Sequence, residues 1–282
     1  MKTINEYCLH IVLSSDLEDK LLSPPKDLVD VLDESIRIPE QPNREKKIQF
    51  SEKKVKIPRI EQMNQAQNRA LAMHHFANHE LMATELFAMA ILMFQNISSE
   101  IRADFLKTLT DEQKHFKMYR ERIRLLGVEF GDRPLNSLFW KFLKLMQTPE
   151  RFAAIMALSL EGANLDYSLV YKNVFDLYDD LDSSKIMNTI YHDEIKHVRR
   201  GLKIIHKKIP NGVSDWDYYQ TLLEFPFTPR RAKGFFFVPD SRYKAGFSEK
   251  FIKNLGEYKD KFSNRKKEIL PDSIKIWGTY SD

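Results

Sequence analysis

Apolar residues recur at helical spacing along two long stretches of the chain. In residues 60–127 and again in 148–208, Ala, Leu, Met and Phe return every three or four positions between polar residues. Each stretch has one break, QNISSE (95–100) in the first and DDLDSS (179–184) in the second. The first stretch therefore predicts helices over about 61–96 and 99–126, and the second predicts a pair that starts with Thr148 as cap and Pro149 in the first turn.

Two helix pairs joined by one long connection predict an all-α fold, a four-helix bundle with a full-length crossover between its second and third helices. The crossover is expected to include a short helix from about 135 to 146, and residues 1–22 to form one amphipathic helix. A further short helix is predicted near 248–258. The predicted organisation is an N-terminal helix and irregular arm packed on the bundle (1–59), the bundle itself (60–210) and a C-terminal extension (211–282).

Composition narrows the class of protein. Hydrophobic residues make up 43% and charged residues 30% of the chain, which is ordinary for a soluble globular protein. The single cysteine, Cys8, excludes an intrachain disulfide and any cysteine-rich zinc or iron–sulfur site. The N-terminus lacks the pattern of a signal peptide, and the longest apolar run, LFAMAILMF (86–94), is too short to span a bilayer. A cytoplasmic protein is expected.

One short motif, D-E-x-K-H, occurs twice inside these helical stretches. The first copy is DEQKH (111–115) and the second is DEIKH (193–197). Glu at position i and His at i+3 project from the same face of a helix, so each copy offers one carboxylate and one imidazole to one point.

Each motif has a partner glutamate on the preceding predicted helix. Glu80 lies 32 residues before Glu112, and Glu161 lies 33 residues before Glu194. The first midpoint, Asn96, falls inside the predicted turn and the second, near residue 178, just ahead of DDLDSS, so antiparallel helices would place each pair at the same height. The sequence therefore predicts one site built from four helices, with the metal ligands Glu80, Glu112, His115, Glu161, Glu194 and His197.

The chemistry of this set favours metal ions. Four carboxylates gathered in an apolar core would repel and would each cost several kcal/mol, whereas two divalent cations neutralise their charge of about −4. Oxygen and imidazole ligands without thiolate suit iron, and also manganese or zinc. Asp111 and Asp193 precede the ligand glutamates and are predicted to accept the free ring N–H of the ligand histidines.

The first-helix ligand has an alternative. Glu85 lies five residues after Glu80, about 140° around the helix, so the two side chains point in different directions. The spacing of the second half favours Glu80 as the ligand, with Glu85 as a neighbour of the site or as a ligand in an altered coordination. His74, His75 and His79 are predicted to be packing or surface residues.

These residues carry a resemblance. Glu80, Glu112-x-x-His115, Glu161 and Glu194-x-x-His197 resemble the di-iron carboxylate site of the ferritin-like superfamily. The chain is more closely similar to the bacterial family called domain of unknown function 455, through four segments: HELMATEL (79–86), DEQKHF (111–116), LEGANLD (160–166) and DEIKHV (193–198). The resemblance implies a ferritin-like bundle that holds two metal ions, iron first among them.

The function expected from such a site is an O2-activating oxidoreductase, a hydroxylase, oxygenase or oxidase acting on an unknown organic substrate. The alternatives are a ferroxidase or other iron-handling protein, and a structural metal-binding protein. Dioxygen and a small molecule are the expected partners, with no membrane. Scattered basic segments and the net charge of +4 indicate RNA only weakly. The long flanks of the bundle favour a monomer or dimer over a storage cage.

Overall fold

The structure is a computed structural model that describes residues 1–53, 55–260 and 279–280. The chain is mostly helical, which confirms the all-α prediction. It divides into an N-terminal unit (Met1–Pro58 and Gln65–Lys144) and a C-terminal unit (Arg59–Asn64 and Leu145–Asp282). None of the helices in the described part of the chain has the length and hydropathy that a membrane crossing requires.

The N-terminal unit is built on a hairpin of two long helices, α3 (Ala66–Met93) and α4 (Ser99–Leu125). The side chain of Ser98 caps α4 by accepting a hydrogen bond from the backbone N–H of Ile101. Most of α3 is buried around its whole circumference, whereas α4 keeps a polar outer face. The first helix was predicted over 61–96. The observed helix α3 begins five residues later and ends three residues earlier.

Before this hairpin the chain forms α1 (Ile4–Leu13) and α2 (Leu17–Lys20). The prediction of one helix over residues 1–22 is wrong. Ser14 has extended backbone, and the side chain of Asp16 accepts a hydrogen bond from the N–H of Glu18, which starts a new helix. Short polar side chains that bond to nearby backbone break a helix even where the apolar spacing continues.

The C-terminal unit contains the second hairpin. Its first arm runs through α5 (Pro149–Ile155), a π-helical turn (Met156–Glu161) and α6 (Gly162–Leu177), and its second arm is α7 (Leu181–His206). The side chain of Thr148 caps α5 by accepting a hydrogen bond from the N–H of Arg151, and Pro149 occupies the first turn, as predicted.

The remaining elements are short. The predicted helix at 135–146 is a 3₁₀ segment, Trp140–Leu145, and the one near 248–258 is α10 (Glu249–Glu257). The sequence did not predict α8 (Asp215–Leu222), α9 (Pro239–Ala245) or the antiparallel pair β1 (Phe236–Phe237) and β2 (Thr279–Tyr280). Part of the predicted extension, 261–278 and 281–282, lies outside the described residues.

Candidate metal centre

The N-terminal unit brings three of the predicted ligands together as a first triad. Glu80 comes from α3, and Glu112 and His115 come from the next helix of the hairpin, α4. The Nδ1 atom of His115 lies 3.6 Å from Oε2 of Glu80 and 3.8 Å from Oε2 of Glu112. One ligand atom from each residue lies within 4.8 Å of the others, and all three side chains are buried. The triad offers two carboxylates and one imidazole to one cation.

Burial and charge act strongly on the first triad. Burial raises the pKa of Glu80 well above its ordinary value, and the nearby charge of Glu112 and a hydrogen bond to it raise that pKa further, while His115 opposes the change. The surroundings of Glu80 therefore shift its titration towards the protonated form. A divalent ion would take the place of that proton, so the donor set fits a metal.

The C-terminal unit forms a second triad of the same composition. Glu161 is the last residue of the π-helical turn, and Glu194 and His197 lie one turn apart on α7. The Nδ1 atom of His197 lies 3.3 Å from Oε2 of Glu194 and 3.9 Å from Oε1 of Glu161. Ligand atoms of the three residues again lie within 4.8 Å of one another, and all three residues are buried.

Asn164 also contacts the second triad, and this contact was not predicted from the sequence. Its Nδ2 donates a hydrogen bond of 3.0 Å to Oε1 of Glu194. This bond fixes one carboxylate oxygen and leaves Oε2 directed towards His197. Asn164 stands three residues after Glu161, one helical turn away, and that spacing is the signal that would have found it.

The π-helical turn is the second feature that the sequence reading missed. The apolar spacing across 149–177 reads as one continuous helix, yet Met156–Glu161 is wound more widely than an α-helix. The hydroxyl of Ser159 donates to the carbonyl oxygen of Ala154 at 2.6 Å, and it lies 2.6 Å from the hydroxyl of Tyr219. The wider turn rotates Glu161 relative to the preceding residues and so decides where its carboxylate points.

A buried ion pair holds the backbone just after this turn. Arg242 of α9 forms a salt bridge with Asp166 of α6, and both side chains are fully buried. Asp166 also accepts hydrogen bonds of 2.9 Å from the N–H groups of Gly234 and Val238. Because Nη2 of Arg242 donates to the carbonyl oxygen of Gly162 at 2.8 Å, the pair ties the segment after α7 to the residue next to Glu161.

Glu85 lies elsewhere in the N-terminal unit. Its Oε1 accepts from Nε of Arg44 at 3.0 Å and lies 3.2 Å from Nζ of Lys20. Its Oε2 accepts from Nη2 of Arg44 at 2.7 Å and from the indole N–H of Trp140 at 3.0 Å. Burial raises the pKa of Glu85, but the charges of Arg44 and Lys20, together with the hydrogen bonds from Arg44 and Trp140, hold that pKa below its ordinary value. The structure thus places Glu80, rather than Glu85, beside His115.

Asp193 and Asp111, the two aspartates predicted to contact the ligand histidines, lie on the same helices as those histidines. Asp193 is buried on α7, and its Oδ1 accepts a hydrogen bond of 2.7 Å from Nζ of Lys196. Asp111 is half-buried on α4, next to Glu112. The predicted hydrogen bonds from the ring N–H groups to these two aspartates stay predictions.

A known protein family matches most of the chain. The family described as "Protein of unknown function (DUF455)" matches residues 13–253. A protein of Haemophilus influenzae described as "Uncharacterized protein" is 28% identical over 100 residues, which cover 35% of this chain and 34% of the relative. The chain thus spans about a third of that relative's length. No solved structure matches the chain.

Proposed function

The chain belongs to the family described as "Protein of unknown function (DUF455)", and we propose that it is a non-haem two-metal oxidoreductase. In this proposal each triad holds one divalent metal ion, and the two ions act together on dioxygen and an organic substrate. The observation that carries the proposal is the presence of two buried donor sets of identical composition, each with two carboxylates and one imidazole.

Charge explains why the triads would take metal. The two carboxylates of a triad carry about −2 when ionised, and burial makes that charge costly unless a cation balances it. One divalent ion per triad neutralises it. Oxygen and imidazole donors without sulfur suit iron, manganese or zinc, and iron would supply the electrons that reduce dioxygen.

The residues around the donors have their own tasks in this proposal. Burial and the nearby charge of Glu112 raise the pKa of Glu80, so a bound cation would have to favour its ionised form. Asn164 donates a hydrogen bond to one carboxylate oxygen of Glu194, and the other oxygen would be available to a metal ion. All six donors are buried, and this low exposure would keep bulk water away from a metal ion held there.

The proposal includes a fold relationship. The matched ligand spacings and the repeated motif support assigning α3, α4, the α5–α6 arm and α7 to the four helices of a ferritin-like bundle. That relationship is an analogy of site and topology, and it argues for metal chemistry rather than for a particular substrate.

Metal analysis of single variants tests the proposal. We expect about two ions per chain in the protein purified without added metal, and the loss of at least one in Glu112→Ala and in His197→Ala, which probe the two triads separately. Glu121→Ala, an exposed position on the same helix as Glu112, is the matched control and keeps both ions. Far-ultraviolet circular dichroism checks that each variant remains helical. Full metal content in both triad variants refutes the assignment.

Oxygen consumption separates the possible uses of the metal. The iron(II)-loaded protein is expected to consume about one dioxygen per two iron ions in an electrode cell, because each iron(II) supplies one electron and a two-electron reduction needs two, and it should not build an iron store. Uptake of many iron ions per chain, together with a cage-sized mass in size-exclusion chromatography, would instead identify an iron-handling protein. Retention of both ions without oxygen consumption would identify a structural metal site.

A further inference from the structure

Thr84 of α3 carries a buried hydroxyl that has no hydrogen-bond partner among the described residues. The whole side chain is shielded from solvent. A buried hydroxyl without a partner lowers stability, so such groups in native proteins are almost always bonded to the chain, to water or to a ligand. The hydroxyl of Thr84 is therefore suited to bond to a molecule that is not part of the chain.

The other threonines of the described helices use their hydroxyls within the helix. Thr108, Thr110 and Thr189 each donate to the backbone carbonyl oxygen four residues earlier, at 2.9–3.0 Å. Thr221 donates to the carbonyl oxygen three residues earlier, at 2.7 Å. This is the ordinary arrangement, because the hydroxyl of a helical threonine can reach the preceding turn. Thr84 departs from it, so its own helix does not occupy its hydroxyl.

Thr84 lies next to the first triad. It follows Glu80 by four residues, about 40° around α3, so the two side chains share a face of the helix. That face is turned towards α4, because Oε2 of Glu80 lies 3.6 Å from Nδ1 of His115 there. Three residues after Thr84, the ring of Phe87 has its centroid 5.9 Å from that of Phe105 on α4. Thr84 thus lies along α3 between the first triad and an aromatic pair.

A second aromatic pair borders the triad at its other end. Phe76 precedes Glu80 by one turn, Tyr119 follows His115 by one turn, and the centroids of the two rings are 5.8 Å apart. Aromatic rings therefore flank the triad in both directions along the hairpin. A ligand held between them would be small and removed from bulk water, where a hydrogen bond is stronger than in solvent.

We propose that the hydroxyl of Thr84 donates a hydrogen bond to a small ligand at the first triad, such as a water molecule or a linear anion. The inference rests on the proposed function, because it places that ligand beside a metal ion held by Glu80, Glu112 and His115. Three protein donors leave at least one coordination position of a divalent ion open. Thr84 would bind and orient the occupant of that position.

Azide titration of the cobalt(II)-loaded protein, followed by optical absorption, tests the proposal. Azide is a linear anion that binds metal ions and accepts hydrogen bonds. Thr84→Val keeps the shape of the side chain but removes the hydroxyl, so it should weaken one azide-binding step by at least about tenfold at unchanged metal content. Thr84→Ser keeps the hydroxyl and should bind azide within about threefold of the parent protein.

Thr108→Val is the matched control. Thr108 is also buried, and it precedes Glu112 on α4 by four residues, as Thr84 follows Glu80 on α3. Its hydroxyl already donates to the carbonyl oxygen of Asp104. The azide affinity of Thr108→Val should therefore stay within about twofold of the parent protein.

Metal-free protein gives a second readout. Because the hydroxyl of Thr84 has no partner in the described chain, Thr84→Val should raise the Tm of the metal-free protein by about 2–4 °C. Thr108→Val removes a hydrogen bond and should not raise the Tm. A lower Tm for Thr84→Val would show that its hydroxyl has a partner without the metal ion, and this would overturn the proposal.

The outcomes separate this inference from the proposed function. A parent protein that takes up no metal refutes the proposed function, and the inference with it. Full metal content with equal azide affinities in the parent protein and Thr84→Val, or with no azide binding at all, overturns the role of Thr84 alone. Equal losses of azide affinity in Thr84→Val and Thr108→Val would mean a general effect of the added methyl group, and would overturn it as well.

Discussion

Gly201 of α7 packs directly against the π-helical turn, and replacing it with alanine is the sharpest test of that packing. A Cβ atom at this position would lie 2.3 Å from Cβ of Ala157 and 3.0 Å from Cδ1 of Leu158. Carbon atoms in favourable contact are about 3.5–4.0 Å apart, so Gly201→Ala requires a backbone displacement of roughly 1 Å. The clash cannot be relieved by rotating a side chain, because the Cβ of Ala157 is fixed to the backbone.

Gly162 supplies the matched control, since it is also helical and immediately follows the same turn. A Cβ added at Gly162 would meet its nearest neighbours, the carbonyl oxygens of Ala157 and Ala232, at 3.7 and 3.9 Å, which are ordinary contacts. Gly162→Ala should therefore stabilise the protein by about 0.5–1 kcal/mol through the better helix propensity of alanine.

At Gly201 the same gain of about 1 kcal/mol is opposed by an overpacking cost of about 2–3 kcal/mol, the upper part of the usual range. The expected net destabilisation is about 1–2 kcal/mol. At roughly 2–4 °C per kcal/mol for a chain of this size, Gly201→Ala should lower the Tm by about 2–8 °C, whereas Gly162→Ala should raise it by about 1–4 °C.

The assay is thermal and urea unfolding of metal-free protein, followed by circular dichroism. Because the clash displaces the turn that carries Glu161, Gly201→Ala should also lower metal content, whereas Gly162→Ala should not. Equal stabilities of the two variants, or a more stable Gly201→Ala, would refute the close approach of α7 to the π-helical turn.

Three further predictions concern buried charged and titratable groups. Arg242→Met leaves the Asp166 carboxylate buried without its cation and should cost about 3–5 kcal/mol in urea unfolding; a loss below about 1 kcal/mol would contradict the buried pair. Glu85→Gln leaves the buried cations Lys20 and Arg44 without a counter-charge and should lower the stability in urea by a similar amount. The variant should keep the metal content of the parent protein. Loss of a metal ion would identify Glu85 as a ligand. Burial lowers the pKa of His74 from 6.5 to about 4. As the pH falls, His74 is therefore protonated in the unfolded chain before it is protonated in the folded protein. The folded protein should lose up to about 3 kcal/mol of stability between pH 6.5 and 4. His74→Gln keeps an acceptor for the N–H of Gly131 and should flatten this loss in urea midpoints at pH 7, 5 and 4; an unchanged slope would exclude His74 as its source.

The helices of the two hairpins could be predicted from the sequence because their signal is local. The spacing of apolar residues depends on neighbours three and four positions away, and the cap at Thr148 can be recognised within one turn. The pairing of Glu112 with His115 is equally local. The contact of Glu80 with the same histidine followed from one further assumption, a hairpin whose turn lies midway between the glutamates.

Tertiary structure decided the features that join residues distant along the chain. Arg242 and Asp166 are 76 residues apart, and Glu85 and Arg44 are 41 apart, so no periodicity relates either pair. The π-helical turn is likewise invisible to apolar spacing, and it lies where Gly201 of α7, 40 residues after Glu161, comes close to Ala157. Local hydrogen-bond geometry encodes which residues share a helix face, whereas the packing of separate segments selects the partner of each buried charge.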